Sequence, residues 1–336
     1  MTKLAIVILN WNGRRYLEQF LPTLVRFLPD YAEIVVADNA SSDDSIEFLT
    51  TNYPAIRILK HAHNEGFAKG YNMALQNVEA EYYCILNSDI EVTEHWIEPI
   101  IEMMDNNETI GAVQPKLLSY HQRDKFEYAG AAGGFIDKYG YPFCRGRLFG
   151  NVENDCGQYD TAMDIFWATG AALFVRSNVF HTMGGFDPDF FAHMEEIDFC
   201  WRIKNAGYKI KVNPESVVYH IGGGTLPKNN SFKTFLNFRN NLFLLVKNLP
   251  ENRIRKTLCL RFFLDQIAAA SFLCQGHFKD FAAVYKAMIA FYKNRKMMME
   301  KRGTMPKMAY QDTCQQSIVF LHYLKRKKIF NGETFL

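Results

Sequence analysis

Apolar residues in this chain come in short runs that stop at polar turns, and between the runs they recur at helical spacing. Leu4-Ala5-Ile6-Val7-Ile8-Leu9 is continuous and apolar, the pattern of a strand buried on both faces. Asn10-Trp11-Asn12-Gly13 is its turn. Leu17, Phe20, Leu21, Leu24, Val25 and Leu28 then keep the i, i+3, i+4, i+7 rhythm of an amphipathic helix, which Pro22 is expected to kink or restart. Glu33-Ile34-Val35-Val36-Ala37 is a second strand ending on Asp38-Asn39, and Ser41-Ser42-Asp43-Asp44 opens a helix with a hydroxyl cap and dipole-favoured acids. Ile56-Arg57-Ile58-Leu59 is a third strand. A glycine-bearing turn from Asn64 to Gly70 leads into a helix over residues 71–78. The run Tyr82-Tyr83-Cys84-Ile85-Leu86 closes on the acidic stretch Asn87-Ser88-Asp89-Ile90-Glu91, with helix signals from Thr93 through Ile101 and a further strand over residues 110–114.

This alternation predicts right-handed βαβ units, an α/β class and a mostly parallel sheet. Open sheets of that kind hold ligands at the carboxyl ends of their strands, where polar residues recur here: Asn10, Asn12, Asp38, Asn64, Asn87 and Asp89. The first turn carries no G-x-G-x-x-G, and no G-x-x-x-x-G-K-[ST] is present, which disfavours a dinucleotide-binding dehydrogenase and a P-loop NTPase. Asp89 can offer hard oxygen to a divalent cation that also holds phosphate, or it is one more acid in a solvated turn. Asp38 can accept from a ribose or a base N–H, or cap the next helix.

Residues 116–165 are glycine-rich and less regular, with a hairpin expected around 137–141 and aromatic and basic residues (Tyr139, Tyr141, Phe143, Arg145, Arg147) that suit a sugar or a phosphate. An apolar strand is expected over 166–176, where Gly170 admits close approach. Glu195, Glu196 and Asp198 crowd the start of a helix whose apolar spacing begins at Ile197 and which Gly207 caps. Acids there complement the helix dipole without any chemistry; flanked by Phe190, Phe191, Met194 and Phe199, they are also candidates for a carboxyl raised toward a useful base. Ser216-Val217-Val218-Tyr219-His220 is a strand followed by Gly222, Gly223 and Gly224, so backbone beside His220 can approach a phosphate.

The 336 residues are 48% apolar and 22% charged with net charge +2, an ordinary globular composition whose near-neutral charge speaks against nucleic acid. Seven scattered cysteines, with no CxxC pair, indicate neither a zinc site nor a disulfide framework and suit reduced thiols in the cytosol. No signal peptide is expected, and the most apolar long window, 258–273, is interrupted by Arg261 and Asp265. From Phe232 the composition turns basic and aromatic, dividing the chain into 1–226 and a helical 227–336. These helices either pack on the first part or lie on an anionic membrane, and the tract Lys325-Arg326-Lys327-Lys328 favours a membrane surface.

Taken together, Asn10-Trp11-Asn12-Gly13, Ala37-Asp38-Asn39-Ala40-Ser41-Ser42-Asp43, Asn64-Glu65-Gly66-Phe67-Ala68, Leu86-Asn87-Ser88-Asp89, Gly184-Gly185-Phe186-Asp187, Glu195-Glu196-Ile197-Asp198-Phe199-Cys200-Trp201-Arg202 and His220-Ile221-Gly222-Gly223 resemble the family 2 glycosyltransferases, in particular the bacterial rhamnosyltransferase-like branch that builds surface polysaccharides. The resemblance covers about residues 3–226. It implies a GT-A fold, a dTDP-, UDP- or GDP-sugar donor, Mn²⁺ or Mg²⁺, inversion at the anomeric carbon, and a glycan or lipid-linked acceptor met at the inner face of the cytoplasmic membrane. It implies donor contacts from Asn10, Asn12, Asp38, Asn64, Gly66, Asn87 and Ser88. Asp89 and His220 would hold the metal, and Trp167 and Gly170 would meet the acceptor. Glu196 would be the general base, with Glu195 and Asp198 as lesser candidates. Asn87 stands where the family's first Asp stands, and Glu196 replaces the commoner Asp. The alternatives are a non-catalytic nucleotide-sugar-binding protein with a degraded site, and a nucleotidyltransferase, against which the absence of a glycine- and arginine-rich signature after the first strand speaks.

Overall fold

The computed structural model describes residues 2–222, 230–303, 306–330 and 332–335. The expected alternation is present as β1 (Thr2–Asn10), α1 (Arg14–Arg26), β2 (Ala32–Asp38), α2 (Ser45–Asn52), β3 (Arg57–Lys60), α3 (Gly66–Leu75), β4 (Ala80–Leu86), β5 (Ile90–Val92), α4 (Glu98–Asp105) and β6 (Ile110–Ser119). A small antiparallel sheet follows, made of β7 (Gly134–Ile136), β8 (Pro142–Cys144), β9 (Arg147–Leu148) and β10 (Asn151–Val152), with the expected hairpin turn at 137–141. The chain returns through β11 (Met163–Asp164), β12 (Ala172–Arg176), α5 (Ser177–Thr182), α6 (Glu195–Asn205) and β13 (Lys209–His220). Then come α7 (Ser231–Asn248), α8 (Glu251–Cys274) and α9 (Phe278–Glu300).

The main sheet runs β11-β13-β6-β12-β4-β1-β2-β3, with β5 also on β13. Strands β3, β2, β1 and β4 are parallel, β12 is antiparallel to both β4 and β6, and β13 is parallel to β6. Strand alternation divides the core into two layers. Leu4, Ile6 and Ile8 of β1 pack with Leu17, Leu21 and Leu24 of α1 and Ile100 of α4. Ala5 and Val7 face the other way, toward Tyr71, Ala74 and Leu75 of α3 and the aromatic cluster of Phe180, Phe186 and Phe199. Pairing of β1 with β2 sets Asn10 opposite Asp38, and pairing with β4 sets Ile8 opposite Leu86, so the polar turns line one edge.

Several expectations shift. β6 continues to Ser119 although Pro115 lies within it; Pro115 pairs with Asn213 at the point where β13 bulges before Val217, which accommodates a residue with no ladder donor. The helix expected from Thr93 starts at Glu98, and residues 90–92 before it pair with β13. The strand expected over 166–176 is regular only from Ala172, and the helix expected from Ile197 begins two residues earlier, at Glu195. Helix α1 passes through Pro22 as a single element.

The glycines Gly223 and Gly224 and the proposed division at 226/227 lie outside the described residues. On either side of that gap one apolar cluster is shared: Leu242, Leu245 and Val246 of α7 and Phe291 and Met298 of α9 belong with Phe190, Phe199 and Trp201. Lys247 of α7 is buried, with Nζ 2.6 Å from Asp187 Oδ2 and 2.9 Å from Asp198 Oδ2. All seven cysteines are free and four are buried.

Candidate active site

The edge of the sheet gathers a crescent of polar loops. At one end Asp38 is buried where β2 stops; its Oδ1 accepts from Asn10 Nδ2 at 3.2 Å and its Oδ2 from the Ser41 amide at 3.0 Å. Asn12, in a left-handed conformation with φ 51°, accepts at Oδ1 from the amides of Ser42 and Asp43. Asn39 extends the crescent: its Nδ2 donates to Asn64 Oδ1 at 3.0 Å, and its Oδ1 accepts from the Glu65 amide at 3.1 Å. Gly66 then opens α3 with φ +73°, and a Cβ there would lie 2.6 Å from the Phe191 ring, so the loop before α6 sits directly on it. The Phe67 amide donates to Phe191 O at 2.9 Å.

That loop is strained. Phe191, His193 and Met194 have φ of 64°, 68° and 72°, values that residues with side chains rarely adopt. Its shape is imposed from α7: Asn240 is fully buried, and its Nδ2 lies 2.8, 2.9 and 2.7 Å from the carbonyl oxygens of Phe190, Ala192 and His193. Arg239 adds hydrogen bonds to the carbonyls of Asp189 and Phe190. Directly after the loop come Glu195 and Glu196. Glu195 is buried, and burial together with the adjacent Glu196 carboxyl pushes it well above the usual range. Glu196 is partly exposed; loss of water raises it to about 7, against the pull of backbone amides at the helix start. One oxygen of each carboxyl lacks a hydrogen-bond partner. A Cβ on Gly170 would lie 3.1 Å from Phe67 and 3.7 Å from Glu196 Cβ, so Gly170, Phe67 and Glu196 meet at one point.

From Gly170 the crescent continues to the acidic turn. The Asn87 amide donates to the carbonyl of Ala171 at 2.9 Å, and Ser88 Oγ reaches back toward Gly13. Asp89 is buried, and the β5–β13 pairing, with Ile90 opposite His220, brings His220 Nε2 to 3.1 Å from its Oδ1. On the other side of the imidazole, Nδ1 lies 3.6 Å from Glu127 Oε1. Two buried carboxylates overcome the effect of burial and lift His220 to about 10, while the imidazolium pulls Glu127 down. The donor set fits a cation. Asp89 Oδ1 and His220 Nε2 converge, and Glu127 backs the far nitrogen as outer carboxylates do for metal-bound histidines. Among the described residues no cluster of three or more such side chains is set to ligate a metal.

Residues 5–159 match the model for glycosyl transferase family 2. The chain is 23% identical over 235 residues to N-acetylglucosaminyl-diphospho-decaprenol L-rhamnosyltransferase of Mycobacterium tuberculosis, covering 65% of this chain and 75% of that one. The chain carries a family 2 glycosyltransferase domain. Solved structures show its GT-A fold. GalNAc-T7 with UDP, GalNAc and Mn²⁺ superimposes with a TM-score of 0.58 at 17% identity over 75% of this chain and 49% of that one, so this chain spans about half of that protein. The mannosyltransferase PcManGT from Pyrobaculum calidifontis with GDP-Man and Mn²⁺ gives 0.53 at 13% identity over 96% and 82%.

In this glycosyltransferase three expected site residues are engaged in holding the structure. Asp198 is fully buried, with Oδ2 2.9 Å from both Lys247 Nζ and Arg202 Nε and Oδ1 accepting from Asn248 Nδ2, and these cations hold it down to about 2. It therefore leaves the set of candidate bases and ties α6 to α7. Trp167 is buried, with its indole N–H bonded to the carbonyl of Phe135 at 2.8 Å and its ring against Gly134, so it supports the small sheet instead of meeting an acceptor. Asn10 is fully buried within the crescent, where its side chain orients Asp38 and Ser41. Neither Glu127, a lone acid in an irregular stretch, nor Asn240 lies in a motif, so nothing in the chain singled them out. Asn39 stood inside the Asp38 motif and could have been chosen from it.

Proposed function

We propose that this chain is an inverting, metal-dependent transferase that moves a sugar from a nucleotide-diphosphate donor to a hydroxyl of a glycan or lipid-linked glycan acceptor, in the assembly of a cell-surface polysaccharide. The observation that carries the reading is the convergence of Asp89, His220, Gly170 and Glu196 along one edge of the sheet through the 87–171 hydrogen bond. The crescent from Asp38 to Asn64 supports a nucleoside position, and the Asp89–His220 pair supports a diphosphate position. Solved neighbours with UDP and GDP-Man support the donor class, and the mycobacterial relative, named for a diphospho-decaprenol acceptor, supports a lipid-linked one.

Asp89 and His220 would hold the divalent cation, and a cation there supplies Lewis-acid neutralisation of the diphosphate. Glu196, raised to about 7 and partly open to solvent, takes the proton of the attacking hydroxyl. Glu195 is also raised, by burial and by the adjacent Glu196 carboxyl, which favours its neutral form beside the base. A single base suffices, since a diphosphate leaves without needing a proton, whereas glycosidases need two carboxyl groups.

The test is nucleotide release from a panel of dTDP-, UDP- and GDP-sugars with Mn²⁺ or Mg²⁺ and acceptor extracts. Glu196→Gln should abolish release while donor binding survives, and Asp89→Ala should weaken metal-dependent donor binding. Binding without turnover across the whole panel would favour a non-catalytic nucleotide-sugar-binding protein, the reading that Asn87 in place of an acid motivates.

A further inference from the structure

Helix α8 is built inside out. Its buried positions are Ile254, Thr257, Arg261, Asp265 and Ala269, and at their centre Arg261 is sealed against the protein. Its guanidinium bonds to Asp265, to the carbonyl of Tyr139 at 3.1 Å and to Asn241. The opposite side, from Cys259 to Cys274, carries no exposed charge and presents Phe262, Phe263, Ile267 and Leu273 to solvent, with Phe263 58% and Ile267 66% exposed. A soluble helix normally does the reverse.

Helix α9 continues the surface with a second regularity. Phe278, Tyr285 and Tyr292 are exposed and recur every seven residues, and each is followed by an exposed lysine: Lys279, Lys286 and Lys293. The Tyr285 hydroxyl donates to Gln266 Oε1 at 2.7 Å, next to Ile267, so the aromatic stripe adjoins the apolar side of α8. Across both helices eight lysines and arginines are exposed against two acids, Glu251 and Glu300.

We infer that the outer side of α8 and α9 is a docking surface for an anionic lipid bilayer, into which α8 sinks its aliphatic and phenylalanine side chains while the tyrosines and lysines of α9 sit at the headgroups. An aromatic stripe edged by lysines suits the interface between lipid and water, where rings lie at headgroup depth and ammonium groups reach phosphate. The concentration of positive charge around the apolar patch opposes its pairing with a second copy of itself. By length and composition α8 is the one described helix able to cross a membrane. Spanning, however, would pull Arg261 and Asp265 away from Tyr139 and Asn241 and into hydrocarbon, so the helix lies on the bilayer.

This inference is independent of sugar transfer: a chain that moved no sugar would still dock. The test is flotation of the full-length protein with vesicles of phosphatidylethanolamine and phosphatidylglycerol, and with vesicles of phosphatidylcholine alone. The wild type should float with the anionic vesicles and far less with the neutral ones. Phe263→Glu/Ile267→Glu should lower the bound fraction by about tenfold or more, with an unchanged unfolding midpoint because both positions are exposed. Lys286→Glu/Lys293→Glu should weaken binding to anionic vesicles only. A tryptophan introduced by Phe263→Trp should be quenched by lipids brominated near the headgroup. Equal flotation of wild type and Phe263→Glu/Ile267→Glu would overturn the inference. So would a dimer in sedimentation that the same double variant dissociates without any vesicle binding, or resistance of the bound protein to extraction at alkaline pH, which marks a spanning helix.

Discussion

Replacing Lys247 with methionine is the sharpest probe of how the helical C-terminal part is joined to the sheet. Lys247 Nζ bridges Asp187 and Asp198 at 2.6 and 2.9 Å, and the three side chains are 5%, 7% and 0% exposed. Methionine fills similar volume and leaves two buried carboxylates short of a cation. Breaking a buried pair from one side costs about 3–5 kcal/mol. Here each carboxylate keeps another partner, Lys301 for Asp187 and Arg202 for Asp198, so about 3 kcal/mol is expected. The measurement is urea unfolding of the full chain followed by circular dichroism. Acid adds a second readout. Asp198 is held at about 2 in the fold against an ordinary 3.8, so its ionised form stabilises the fold above pH 3.8, and that contribution, about 2 kcal/mol, is lost as pH falls toward 2. The gap between wild type and Lys247→Met should therefore be full at pH 7 and narrow below about pH 4. Adding Asp198→Asn should recover part of the loss, because the uncompensated charge goes with it. A loss under about 1 kcal/mol, or a gap that ignores pH, would refute the idea that this pair fastens α7 to α6.

Other expected outcomes follow from the site. With a base raised to about 7, turnover should rise with pH along a limb centred near that value, and Glu196→Gln should flatten it; a limb centred below 5 would remove Glu196 as the titrating group. Glu127→Gln keeps the shape behind His220 and removes its charge, and should weaken Mn²⁺ affinity about 10- to 100-fold in a metal titration of donor binding. Asn240→Leu frees the carbonyls of Phe190, Ala192 and His193 and should lower kcat about 10- to 100-fold with donor Kd nearly unchanged; equal loss of both would mean that the whole fold had moved. Trp167→Phe should lower the unfolding midpoint while leaving the acceptor KM unchanged, as befits an indole bonded to Phe135.

The central strands were legible because a strand buried on both faces leaves an unbroken apolar run, as in residues 4–9, and because each run ended on a polar turn. What local pattern could not convey was pairing at a distance. Residues 90–92 read as the approach to a helix and became β5 only because β13 lies beside them. Pro115 read as the end of a strand, and a bulge in the partner carried the strand through it. The same limit applied at the site. Asp89, His220 and Glu196 stood out through their neighbours in the chain. Asp198 stood as a lesser candidate beside Glu196, and only Lys247, about fifty positions further on, shows it to be a buried ion-pair partner. Glu127 and Asn240 act through long-range contacts, which no spacing rule reports.

The bent segment at 191–194 keeps its shape because Asn240 grips it from a helix that comes much later in the chain. A small molecule wedged between that helix and the segment would slacken the turn and let Glu196 drift, without competing with a nucleotide.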